Sequence, residues 1–188
     1  MSGRSAGSTS KAVGVSIPPR RVCVVGLGYV GLPTAAILAS KGIDVVGVDA
    51  DPLRVEAVNQ GKAPIAEPDL ESIVRQVVAS GGLRAEAQVE SADAFIIAVP
   101  TPLKGNHEPD LAHLQNAATS VARVLVPGNL VILESTSPVG TTETLCRWMA
   151  EARPDLSFPD AAALACDIRV VYSPERVLPG RIVRELVN

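Results

Sequence analysis

The stretch RVCVVGLGYVGLPTAAILAS, residues 21–40, narrows the possible folds more than any other part of the chain. It begins as an unbroken apolar run, passes through three glycines and continues in helix-forming residues. RVCVVG (21–26) reads as a fully buried strand. YVGLPTAAILASKG (29–42) reads as a helix whose Ala, Ile and Leu face packs back on that strand, ended by Gly42. Gly26, Gly28 and Gly31 have the G-x-G-x-x-G spacing, which by itself explains only a tight turn. Its weight comes from context, because it follows a strand, opens a helix and is followed by Asp49 at the end of the next apolar run, DVVGVD (44–49).

In a unit of this kind Gly26 permits the sharp turn and Gly28 lets a pyrophosphate approach the backbone. Gly31 allows close packing of helix on strand, and the helix N-terminus faces the anion. A carboxylate at Asp49 binds adenosine ribose hydroxyls and repels a 2′-phosphate, which favours NAD over NADP. Arg54 either flanks the adenosine or is solvated on the helix that follows. The alternative is a glycine turn with no ligand.

The rest of the chain repeats the alternation. PLRVEAVNQG (52–61) is a helix with Pro in its first turn, and EPDLESIVRQVVASGG holds another from about Asp69 to Ser80. ADAFIIAVP (92–100) is a buried strand stopped by Pro100. A polar loop, TPLKGNHEPD, leads to a helix from about Leu111 to Leu125. NLVILEST (129–136) is a strand, PVGTTETLCRWMAEA (138–152) a loop and helix, and DIRVVYSPE (167–175) a last strand. Such alternation predicts an α/β chain with a doubly wound, Rossmann-type, mostly parallel sheet and helices on both faces.

Length and charge agree with one such domain. A chain of 188 residues with 47% apolar and 20% charged residues can bury one substantial core. The net charge of −3 gives no basic footprint, so nucleic acid is not an expected partner. The apolar runs are too short to span a bilayer. Residues 1–20, rich in Ser and Gly and closed by Pro18 and Pro19, read as a flexible tail without a secretory core, and 21–188 as the dinucleotide-binding domain. With no export signal the expected compartment is the cytoplasm. Cys23, Cys146 and Cys166 have neither disulfide nor metal spacing and read as free structural thiols, so no metal is expected.

Three more stretches fall at strand ends, where ligands bind in such sheets: AVPTPLKGNHEPDL, ESTSPVGTTE and YSPERVLPG. Together with GLGYVGLPTA and VDAD they resemble the UDP-glucose/GDP-mannose dehydrogenase family from Arg21 to the end of the chain. VPTPLKGNHEPDL and SPERVLPGR are most similar to its UDP-N-acetyl-D-mannosamine 6-dehydrogenases. UDP-glucose enzymes usually carry a second glutamate where this sequence has Pro179.

The resemblance implies oxidation of a sugar C6 alcohol to a carboxylate with two NAD⁺, through a cysteine-bound thioester that is hydrolysed. It places Tyr29 and Val30 along the pyrophosphate, Asp49 on the ribose with Arg54 beside it, and Thr101 near the ribose and nicotinamide. Thr136 and Thr142 flank the nicotinamide and the reacting centre. Glu175 helps activate the hydrolytic water, and Arg176 and Val177 line the sugar nucleotide.

Plainer readings stand beside these. Thr101 and Thr136 are also suited to capping loops, Glu175 to being an exposed loop carboxylate and Tyr29 to packing. Glu134 reads as a strand-end charge and His107 as a solvated loop residue. The family's nucleophilic cysteine and its lysine/asparagine pair follow a long central helix, and this sequence stops at Asn188 before any of them. The chain is thus expected to be the NAD-binding part of a longer enzyme, inactive alone and dimerising through the helix it lacks. UDP-glucose or UDP-N-acetylglucosamine as substrate, and a non-catalytic NAD-binding module, are the alternatives.

Overall fold

The computed structural model describes residues 19–105, 108–160, 166–176 and 180–187. Most of the expected tail, together with His107, Val177 and Pro179, lies outside them. The strands are β1 (Arg21–Val25), β2 (Asp44–Val48), β3 (Leu83–Glu86), β4 (Ala94–Ile97), β5 (Leu130–Leu133) and β6 (Arg169–Tyr172). The helices are α1 (Gly31–Ser40), α2 (Pro52–Asn59), α3 (Leu70–Ala79), α4 (Ala112–Ala122), α5 (Thr141–Ala152) and α6 (Ile182–Val187). All strand pairs are parallel, in the order β3-β2-β1-β4-β5-β6. No helix among the described residues is long and apolar enough to cross a membrane.

The apolar runs become central strands because both sheet faces are covered. Side chains alternate across the pleat. Cys23, Val25, Val46, Phe95 and Ile97 therefore join a core with α4 and α5, while Val22, Val24, Val45 and Ile96 join a second core with α1 and α3. Helix α1 fits tightly through its small face, with Ala35 and Ala36 fully buried. Strand β3 is absent from the runs read in the sequence. Its tetrapeptide LRAE buries only Leu83 and Ala85, while Arg84 pairs outside with Glu86 and Glu90.

The strands read as 92–100, 129–136 and 167–175 are each shorter in the structure, because their C-terminal residues leave the ladder to build loops. Successive strands are added leftward from β1 to β3 and then rightward from β4 to β6. The strand order therefore switches between β1 and β4, and a crevice opens there beyond the strand C-termini. At the sheet's opposite end, Asp93 Oδ2 accepts the Arg20 and Arg21 N–H groups at 2.8 and 2.9 Å, fixing where β1 begins.

Helix α3 starts on a strained residue. Asp69, its N-cap, has φ +66° and no side-chain cap bond. Asp tolerates this left-handed region, whereas β-branched residues do not. Asp69→Val is expected to lower unfolding stability by about 1–2 kcal/mol, with Asp69→Gly close to neutral. Urea unfolding of both variants checks this.

Candidate functional site

The three glycines have three different reasons to be glycine. Gly26 has φ +98°, and a Cβ there would lie 2.6 Å from the Ala98 carbonyl oxygen. A Cβ on Gly31 would overlap the Gly26 carbonyl oxygen and press on Ala98 Cβ. Both substitutions are blocked by the turn and by β4. A Cβ on Gly28 would meet no protein atom within 4 Å, so Gly28 faces open space. Tyr29 is 57% exposed, so it is not the packing residue its position allows. Val30 is half-buried and caps α1 without a side-chain bond.

Asp49 is tied to this turn. Its Oδ2 accepts the Leu27 N–H at 2.8 Å and Arg54 Nη1 at 3.0 Å, and its Oδ1 accepts the Asp51 N–H at 2.9 Å. A carboxylate offers about four acceptor positions, so Oδ1 keeps room for one more donor. Arg54 is therefore no solvated surface residue, and its Nε is buried with no acceptor.

Beside them lies a cleft of about 840 Å³, running from Gly26, Asp49 and Arg54 to α4. Its far wall is a polar stripe of His113, Asn116 and Ser120, with Arg123 just beyond the helix. Sequence reading missed this wall. The signal is polar residues at helical spacing, which looks the same as an ordinary solvated face.

The strand-end residues gather on the other side of the switch. Thr101 Oγ1 donates to the Thr136 carbonyl at 2.6 Å, joining the loops after β4 and β5, so the capping reading describes its hydroxyl. Ser135 Oγ reinforces the junction, donating to the Val99 carbonyl at 2.7 Å. Thr136 is exposed at the tip of its loop, and Thr142 is half-buried in the first turn of α5. Glu175 is half-buried and accepts the Arg176 N–H at 2.6 Å, while the Arg176 side chain is exposed.

Glu134 is more than a strand-end charge. Its Oε1 accepts the Thr34 hydroxyl of α1 at 3.1 Å, and its Oε2 is buried with no partner. Burial pushes the carboxyl up to about 7; the Thr34 bond opposes this and the Glu175 charge adds to it. The thiols of Cys23 and Cys146 are each pushed by burial to about 11, which fits inert structural cysteines.

A parallel sheet of this strand order, with a glycine turn and an acidic residue ending the second strand, defines a dinucleotide-binding fold of the Rossmann class. Residues 20–188 match the UDP-glucose/GDP-mannose dehydrogenase family, NAD binding domain, and the chain belongs to that family. It is 57% identical over 169 residues to a UDP-N-acetyl-D-mannosamine dehydrogenase of Campylobacter jejuni, covering 89% of this chain and 42% of that protein. It is 54% identical over 174 residues to an NDP-N-acetyl-D-galactosaminuronic acid dehydrogenase of Ralstonia nicotianae, covering 93% and 41%. The structure of a UDP-D-ManNAc dehydrogenase from Pyrococcus horikoshii aligns with TM-score 0.80 and 41% identity, over 88% of this chain and 38% of that one. The chain thus spans about two fifths of the length of these relatives. Its cofactor is NAD, and the open face of Gly28, the free capacity of Asp49 and the orphan Arg54 Nε fit such a ligand.

The raised Glu134 carboxyl sets a pH dependence. The folded chain keeps a proton there that the unfolded chain loses near pH 4.5, so stability falls as pH rises from 4.5 to 7 and then levels. Glu134→Gln, which cannot ionise, is expected to remove this slope and to be more stable above pH 7 by on the order of 2 kcal/mol. Urea midpoints across that window measure it.

Proposed function

We propose that this chain is the NAD-binding part of a UDP-sugar 6-dehydrogenase that oxidises a C6 alcohol to the uronate with two NAD⁺. The substrate class we favour is a UDP-N-acetylhexosamine, with UDP-N-acetyl-D-mannosamine first. Both relatives compared above carry names of acetamido-sugar enzymes, which supports this over UDP-glucose. The observation that carries the reading is Gly28. Its neighbours in the motif are crowded by protein atoms, whereas Gly28 meets none and has an ordinary φ, which supports a ligand as the reason for its missing side chain.

In this reading Gly26, Gly28, Tyr29, Val30 and Gly31 receive the pyrophosphate at the start of α1. Asp49 takes a ribose hydroxyl on Oδ1, with Arg54 holding that carboxylate and flanking the adenosine. The adenine end lies in the cleft against α4. Thr101, Thr136 and Thr142 line the nicotinamide side, with Thr136 closest to the reacting carbon. Bound NAD⁺ supplies the hydride acceptor for each two-electron step. Glu175 orients the hydrolytic water, and Arg176 with Val177 contacts the sugar nucleotide.

The thioester-forming cysteine belongs to the part of the enzyme that follows residue 188, as does the helix through which it dimerises. The domain begins near Arg21. The enzyme works in the cytoplasm, supplying acidic sugars for surface polysaccharide.

Two measurements test this. Gly28→Ala is expected to leave unfolding stability nearly unchanged and to weaken NAD⁺ binding about tenfold or more, whereas Gly26→Ala lowers stability by about 2 kcal/mol or more. Calorimetric titration that finds Gly28→Ala binding NAD⁺ as tightly as the parent rejects the pyrophosphate assignment. The 188-residue chain is also expected to bind NAD⁺ better than NADP⁺ and to form no NADH from UDP-N-acetylmannosamine. Measured NADH formation would place the chemistry within these residues.

A further inference from the structure

The loop after β6 is tied at both ends, and the far tie is a carboxylate from the other half of the sheet. At the near end the Ser173 N–H donates to the Leu133 carbonyl at 3.0 Å, extending the pairing of β6 with β5. At the far end stands Glu67, in the loop between α2 and α3. Its Oε2 accepts the Gly180 N–H at 2.8 Å and its Oε1 the Ile182 N–H at 2.7 Å. More than a hundred residues of sequence separate the partners. Glu67 is 9% exposed, and no cation among the described residues pairs with it. A buried carboxylate needs donors, and these amides provide charge-assisted ones. In return Glu67 caps the first turn of α6, whose N–H groups have no partner within the helix.

The turn that presents Glu67 is itself strained. Asp69 takes its left-handed φ two residues on, and Leu70 behind it is fully buried. Strain of this kind persists where the surroundings over-determine it. Val183 completes the arrangement by packing in the core that includes Leu32 and Ala35 of α1.

We infer that Glu67 is a positioning residue, fixing the Gly180–Ile182 end of the loop that carries Glu175 and Arg176 and so holding those side chains at the strand ends. The inference rests on the proposed substrate-side role of Glu175 and Arg176. Both carboxylate oxygens matter: glutamine keeps one acceptor but turns its NH₂ toward the second amide. Aspartate keeps both acceptors and is one methylene short.

The test uses the full-length dehydrogenase that carries this chain. In Glu67→Gln, hydrogen–deuterium exchange is expected to quicken across residues 180–187 while β1 stays protected. KM for UDP-N-acetylmannosamine should rise about tenfold or more, with KM for NAD⁺ held within about twofold. Glu67→Asp should fall between parent and Gln in both readouts, and it carries the test if the Gln variant does not fold.

Unchanged exchange across 180–187 overturns the latch. Quickened exchange with an unchanged sugar-nucleotide KM overturns the positioning role, leaving Glu67 a cap for α6. A parent enzyme that turns over no UDP-sugar overturns the functional reading instead, and the exchange comparison still decides whether Glu67 holds the loop.

Discussion

Three donors converge on the Asp49 carboxylate, and the shape of the glycine turn follows from them. The Leu27 N–H reaches it from the turn, the Asp51 N–H from the start of α2 and Arg54 from within that helix. The Gly26 N–H is held from the same side by the Val48 carbonyl at 2.7 Å. β4 closes the other side, with the Ala98 carbonyl where a Gly26 side chain would stand. The turn is thus clamped between the ends of β2 and β4, and α1 leaves it in a direction it cannot vary. Gly47 belongs to the same joint, since a Cβ there would strike Leu27 Cδ2 at 2.7 Å. Asp49 is therefore an architectural residue in its own right.

Much of this was legible in the sequence because buried parallel strands read as apolar runs and glycine turns have few alternatives. The central strands, the helices between them, the three glycines and Asp49 all fall where the pattern places them. β3 was not legible, since an edge strand with one buried face and two charged residues in four carries almost no signal. The α4 stripe was hidden for a related reason. His113, Asn116 and Ser120 look like a solvated face until the strand order sets β2 and β3 across from them.

Glu134 and Glu67 were illegible for a third reason, which is distance along the chain. Glu134 is hydrogen-bonded by Thr34, a hundred residues earlier, and Glu67 by the amides of Gly180 and Ile182, more than a hundred later. No local pattern encodes either contact. The motif resemblance covers the loop after β6 but not the carboxylate that accepts the Gly180 and Ile182 amides at its end.

Three carboxylates, Asp49, Glu67 and Glu134, have surroundings that differ in one countable way, the donors each meets. Asp49 has two backbone amides and a guanidinium, and Glu67 has two backbone amides. Both are anchors that tie distant segments together. Glu134 meets a single hydroxyl, which is too little to offset the loss of water around it, so burial wins and the carboxyl holds its proton up to about pH 7. The Glu175 charge adds to the rise, so this carboxyl touches the helix that the glycine turn opens while feeling the charge of the loop after β6. Donor count thus separates the two anchoring carboxylates, Asp49 and Glu67, from Glu134, whose carboxyl burial drives up.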